Sequence, residues 1–198
     1  MVLLEMWKIY IIFGKTKTFR KKGLKMTTIF ESGTKEQKAN KPTIEDACDY
    51  FLEDNLKKGV LCLIDLFTEL KIKINWYGKN SYRSTYKGKR ILLCNFNNKN
   101  DIRIGLSLAD AHKKDELEKI LHELPNNLRK EYVTNKNKHC GRCMGSACDF
   151  NLDFVEAGET HQLCVHNAGY ILYNPTPAQF KLIENFIELR IEYINTKK

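Results

Sequence analysis

Apolar positions change period along the chain, and the changes divide it into elements. From Ile44, the residues Ala47, Cys48, Phe51, Leu52, Leu56, Val60, Leu63, Ile64 and Phe67 recur at the three-to-four-residue spacing of an amphipathic helix. Thr43 stands where an N-cap is needed, and Gly59 is a point at which the pattern can divide into two helices. Between Ile72 and Leu108 the period falls to two. Ile72, Ile74 and Trp76 alternate with Lys73 and Asn75, and Tyr82, Ser84 and Tyr86 alternate with Arg83, Thr85 and Lys87. Lys87-Gly88-Lys89 and the stretch from Asn97 to Asn100 are turn signals ahead of Ile91 to Cys94 and Ile102 to Ile104, which predicts three or four antiparallel strands. Helical spacing returns after Asp110 at Leu117, Ile120, Leu121 and Leu124; Pro125 interrupts it before Leu128 to Val133. Residues 151–156 and 160–165 around Gly158 predict a hairpin, followed by a strand from Tyr170 to Tyr173. The best-marked element is the last. Thr176-Pro177-Ala178-Gln179 combines a capping box with proline at the first helical position, ahead of Phe180, Ile183, Phe186, Ile187, Leu189, Ile191 and Ile194.

These patterns predict an α+β domain over 43–198. A curved antiparallel sheet would be packed by N-terminal, middle and C-terminal helices, with a Cys-rich, zinc-ribbon-like hairpin within 139–166. Residues 26–42 show no periodic apolar face and are expected to form a flexible tail. At 198 residues and 42% hydrophobic content the chain can bury a real core. It has no apolar run of the ~18–20 residues that a membrane-spanning helix needs.

Charge then changes the picture less than its total suggests. The formal charge is +9, but the first 25 residues hold seven bases against Glu5 alone, leaving 26 bases and 23 acids for the rest. Thiolates around a zinc ion would remove about two more positive charges. Net charge therefore argues only weakly for a polyanion partner. Residues 1–25 are expected to be a non-native leader, with Met26 as the start. Their basic cluster follows the apolar stretch instead of preceding it, opposite to a secretory signal.

Seven cysteines, an odd number, argue against a disulfide framework and for a reducing cytoplasm. Cys48, Cys62 and Cys94 stand singly among apolar neighbours and are expected to be buried. Cys140, Cys143, Cys148 and Cys164 follow the spacing C-x2-C-x4-C-x15-C. A CxxC pair lets two thiolates converge on one metal from a tight turn, and Gly141 and Gly145 permit the bends. The hairpin after Cys148 would fold the chain back and bring Cys164 near. Structural zinc is the expected cofactor. His139, His161 or His166 are alternative ligands, and an iron–sulfur cluster or a thiol redox pair are the competing readings.

No G-x-S-x-G, P-loop, G-x-G-x-x-G or H-E-x-x-H motif is present, and nothing compels an enzyme. His112 and His122, with Glu116, Glu118 and Glu123 among Lys113, Lys114 and Lys119, are expected to form a solvated helix face. Trp76, Tyr82 and Tyr86 could line a concave sheet suited to a small apolar ligand. Arg83, Lys87, Lys89, Arg90 and Arg142 are the candidates for a nucleic-acid contact, although alternation puts Tyr82 and Tyr86 on one face and Arg83 and Lys87 on the other.

Trp76-Tyr77-Gly78-Lys79 and Tyr86-Lys87-Gly88-Lys89, in this order of elements, resemble small bacterial α+β domains of the YdhG-like kind, and Asn174-Pro175 before the last helix resembles a feature of cysteine-bearing relatives in low-GC bacteria. The resemblance covers residues 43–195, implies an α+β fold with a curved antiparallel sheet, and brings no catalytic residues. The Cys140-to-Cys164 segment departs from it. The expected function is a cytoplasmic, zinc-stabilised domain that binds a small molecule or protein without catalysis. The alternatives are a nucleic-acid-binding module and a metal- or thiol-dependent redox protein.

Overall fold

The computed structural model describes residues 26–109, 113–135, 151–165 and 169–196. The proposed leader, 1–25, lies outside them.

Thr43 and Asp46 cap one another: the Asp46 amide donates to Thr43 Oγ1 at 3.2 Å and the Thr43 amide to Asp46 Oδ2 at 2.9 Å. This starts α3 (Ile44–Phe51), whose Ile44, Ala47, Cys48 and Phe51 are buried. Helix α4 (Asp54–Glu69) follows and buries Val60, Leu63, Ile64 and Phe67. The break falls at Leu52 and Glu53, not at Gly59. Asn100, at the tip of a distant hairpin, makes the break: its Oδ1 accepts from the Glu53 amide at 2.9 Å, and its amide donates to the Phe51 carbonyl at 2.7 Å. Gly59 has a different reason to be glycine. A Cβ there would stand 2.3 Å from the Phe180 ring of the C-terminal helix α7 (Pro177–Thr196).

Strands β1 (Lys73–Gly78), β2 (Ser81–Tyr86), β3 (Lys89–Asn98) and β4 (Asp101–Ser107) form an antiparallel meander. After an excursion through α5 (Lys114–Glu123), α6 (Asn126–Asn135) and the hairpin β5 (Asn151–Glu156) and β6 (Glu159–Cys164), strand β7 (Gly169–Tyr173) adds antiparallel to β4. The sheet order is β1-β2-β3-β4-β7. Period-two patterning sets the faces. Ile74 and Trp76, Tyr82 and Ser84, Leu92, Cys94 and Phe96, Ile102, Ile104 and Leu106, and Leu172 stand opposite one another on one face. That face meets the helices: Phe51 stacks on Phe96 at 5.6 Å, and Leu182, Ile183 and Phe186 of α7 approach Leu106 and Leu172. Each large side chain fully buried here contributes on the order of 1.5–3 kcal/mol. Asn174 ends β7 with a positive φ of 45°, exchanging hydrogen bonds with the Ile102 backbone at 2.8 and 2.9 Å.

Three sequence-based expectations change. Residues 26–42, expected to be a tail, contain α1 (Met26–Glu31) and α2 (Thr34–Asn40). Each is too short to show a period, and each is held by one or two side chains. Phe30 stacks on Tyr50 at 5.1 Å. Buried Gln37 donates to Asn80 Oδ1 at 2.6 Å and accepts from the Asn80 amide at 2.8 Å. Cys62, expected to be buried, is exposed on α4, whereas Cys48 and Cys94 are buried as expected. Burial, with Glu45 and Asp49 nearby, pushes the Cys48 thiol up to about 12, so it stays protonated and inert. Glu116 leaves the solvated face: it is buried against Arg190 of α7, while Glu118 and Glu123 remain exposed. Among the described residues no helix is long and apolar enough to cross a membrane.

Candidate binding face and the cysteine segment

The aromatic trio separates from the basic groups as alternation requires, but it lines no open pocket. Tyr82 is only 2% exposed and meets Phe96 edge-on at 5.8 Å. Trp76 and Tyr86 are partly buried against the same core. Burial raises the Tyr82 phenol well above its ordinary range, so it is a neutral hydroxyl. Tyr82 Oη and Trp76 Nε1 are buried with no hydrogen-bond partner among the described residues, and Tyr86 Oη donates to Asn195 Oδ1 at 3.0 Å. An apolar cavity of about 20 Å³ does exist elsewhere, under β4 and β7, lined by Leu106, Leu128, Tyr132, Tyr170, Leu182 and Phe186. It has room for about one water-sized body and no polar group to hold one.

The opposite face of the sheet has a different chemistry. Register places Lys73 and Thr85, Arg83 and Leu93, Asn95 and Arg103, Gly105 and Ile171, and Arg103 and Tyr173 across from one another there. Arg90 reaches the same face, where its Nε donates to Ser107 Oγ at 2.6 Å. The Arg83 guanidinium lies over the Tyr77 ring, 3.5 Å from its centroid, and Arg103 stands 5.9 Å from that of Tyr173. The contact at Tyr77 stacks the guanidinium plane on the ring, and both arginines remain partly exposed. By alternation Asp101 is the one acid on this face, against Lys73, Arg83, Arg90 and Arg103. Tyr77 is 54%, Tyr173 64% and Ile171 37% exposed; only Val155 joins them as an exposed large hydrophobic among the described residues.

Of the basic residues singled out in the sequence, Arg83 and Arg90 therefore share a face. Lys87 does not: it sits in the β2–β3 turn with φ 45°, and its Nζ donates to Asn195 Oδ1 of α7 at 2.7 Å. Lys89 is exposed on the same turn, paired with Tyr86 on the helix side of the sheet. Arg142 lies outside the described residues. Sequence reasoning missed Arg103, Gly105 and Tyr173 as functional candidates. Their alternation in β4 and β7 was legible, but their adjacency to Arg83 and Tyr77 depends on the strand order.

Cys140, Cys143 and Cys148, with His139 and His166, also lie outside the described residues. Cys164 ends β6 and is buried. Its backbone pairs with Asn151, so the hairpin brings its last residue back beside its first. His161 is an odd number of residues from Cys164, which puts it on the other face of β6. It pairs with Phe154, and its Nε2 is 3.9 Å from Glu159. Among the described residues no three His, Cys, Asp or Glu side chains converge on a metal-sized site.

Compared with known proteins, the chain matches no family model, no curated protein and no solved structure.

Proposed function

We propose that this chain is a zinc-stapled binding domain that holds nucleic acid on the open face of its five-stranded sheet. The observation that carries the reading is the grouping of Lys73, Arg83, Arg90 and Arg103 on one face with a single acid, in a domain whose charge is otherwise nearly balanced. A sheet covered by helices on one side and bearing cations on the other offers fixed N–H donors to phosphate oxygens. The alternative of a small apolar ligand at Trp76, Tyr82 and Tyr86 has less support, because those side chains are spent on the core.

Binding of a fluorescent mixed-sequence oligonucleotide to the full chain tests this. Affinity should fall steeply with salt, and replacing Arg83 and Arg103 by alanine together should reduce the log–log salt slope by about 1.4 to 1.8, at ~0.7–0.9 per phosphate contact. No binding at about 50 mM salt, or an unchanged slope in the double variant, overturns the reading.

The zinc half rests on the C-x2-C-x4-C spacing and on the pairing of Asn151 with Cys164, which sets the fourth cysteine beside the strand that leaves the cluster. Four thiolates would close a tetrahedral site that orders the segment between α6 and β5. Anaerobically purified protein should contain about one zinc per chain and show no visible absorbance, and Cys140→Ser should lose the metal. Iron with a broad visible band would replace zinc by an iron–sulfur cluster, and a metal-free protein would remove the staple altogether.

A further inference from the structure

We infer that the nucleic acid this face takes is single-stranded, with unpaired bases seated over Gly105 in the row beside Tyr77 and Tyr173; this rests on the nucleic-acid reading above. Phosphate contacts alone do not distinguish a single strand from a duplex, so the inference stands on what lies between the arginines. Tyr77 and Tyr173 occupy the two outermost strands of the sheet, four strand spacings or roughly 19 Å apart. Both are more than half exposed. Arg83 covers one side of the Tyr77 ring, and the exposed remainder of that ring, like the ring of Tyr173, offers a base a stacking plane.

Gly105 is the second observation. It sits in the middle of β4, between Leu93 and Ile171 on the open face, while its neighbours Ile104 and Leu106 point into the core. A glycine inside a strand weakens the strand, and it marks places where another molecule approaches the backbone. Its backbone needs no glycine, since its φ is not positive. Neither does its surroundings: a Cβ there would meet only the Leu93 carbonyl oxygen, at 3.8 Å. Packing does not account for the missing side chain. Its effect is a shallow apolar floor of Leu93, Gly105 and Ile171 with Arg83 at its β2 end, while the neighbouring row of the same face carries Asn95, Arg103 and Tyr173. That span accommodates two or three stacked bases, as other sheet-surface readers of single strands do. A duplex keeps its base faces stacked internally. It can reach the arginines but gains nothing from the rings or from the floor.

The test compares a twelve-nucleotide thymidine oligonucleotide with a mixed-sequence twelve-base-pair duplex on the full chain in one buffer, with poly-glutamate as competitor. The single strand should bind at least tenfold tighter than the duplex. Gly105→Val, which fits the strand sterically, should weaken single-strand binding about tenfold, leave duplex binding unchanged and not lower the melting temperature. Should the valine variant fail to fold, Gly105→Ala serves in its place. Tyr77→Ala and Tyr173→Ala should each cost the single strand severalfold, with Tyr77→Phe restoring it because the stacking plane remains. Equal affinity for single strand and duplex, or indifference to Gly105→Val, overturns this inference and leaves the nucleic-acid reading standing. Failure to bind either oligonucleotide overturns both. Displacement of the oligonucleotide by poly-glutamate at equal charge concentration would assign the face to an acidic protein instead and overturn both.

Discussion

Glu116→Ala should cost this domain about 3–5 kcal/mol, the range for removing one partner of a buried ion pair. Arg190 lies in the last third of α7 with no exposed surface, and Glu116 in the first turn of α5 is 4% exposed. Removing the carboxylate takes the Glu116 counter-charge from a guanidinium that has no exposed surface. Arg190→Ala should be nearly as damaging, leaving a buried carboxylate and a cavity. The informative comparison is the double variant Glu116→Leu with Arg190→Met. Two apolar side chains of similar volume abolish the desolvation cost together, and stability should return to within about 1–2 kcal/mol of the parent. Urea unfolding at pH 7 measures all three. A loss below about 1 kcal/mol in both single variants would mean that the pair is solvated in solution.

Gly59→Ala is expected to be destabilising by about 1–3 kcal/mol, the cost of overpacking a filled interface, even though the same change in a solvated helix adds up to about 1 kcal/mol. The new methyl would stand 2.3 Å from Phe180 Cδ2 and Cε2, and that ring is itself buried. Helices α4 and α7 would have to separate or the ring leave its rotamer. Pairing Gly59→Ala with Phe180→Leu should recover part of the loss, because the smaller, branched side chain vacates the space. Thermal unfolding of the single and double variants decides it. A rise in melting temperature for Gly59→Ala alone would show that the two helices do not pass this closely.

Both predictions rest on contacts between α7 and segments more than 70 residues earlier, and this is where reading the sequence stopped. Glu116 stands in α5 among Lys113, Lys114 and Lys119, and its local neighbours describe a solvated face. Arg190 stands between Leu189 and Ile191 on a helix whose apolar pattern was plain. Each charge looked ordinary because its partner was remote. Gly59 was legible as an anomaly in a helical pattern, but its cause, the Phe180 ring, was not. Gln37 is similar: a polar residue in a polar stretch, buried only because Asn80 at the β1–β2 turn completes its hydrogen bonds.

The candidate site divides in the same way. That Arg83 and Tyr82 face opposite sides of a strand follows from a period of two and was legible at once. That Arg83 joins Tyr77, Arg103, Gly105 and Tyr173 in one surface required the strand order, above all the return of β7 beside β4 after some 60 residues of helices and hairpin.

The sequence by itself determined the α+β class, the N-cap at Thr43, the capping box at Thr176, the alternation of the meander and the turn around Gly158. Each of these depends on interactions within about four residues or on a period the chain displays locally. Only the tertiary structure decided where the helix after Thr43 breaks, which charges are buried, and which face of the sheet the described helices cover. Those outcomes depend on side chains meeting across 40 to 110 residues of chain, and local spacing carries no record of such meetings.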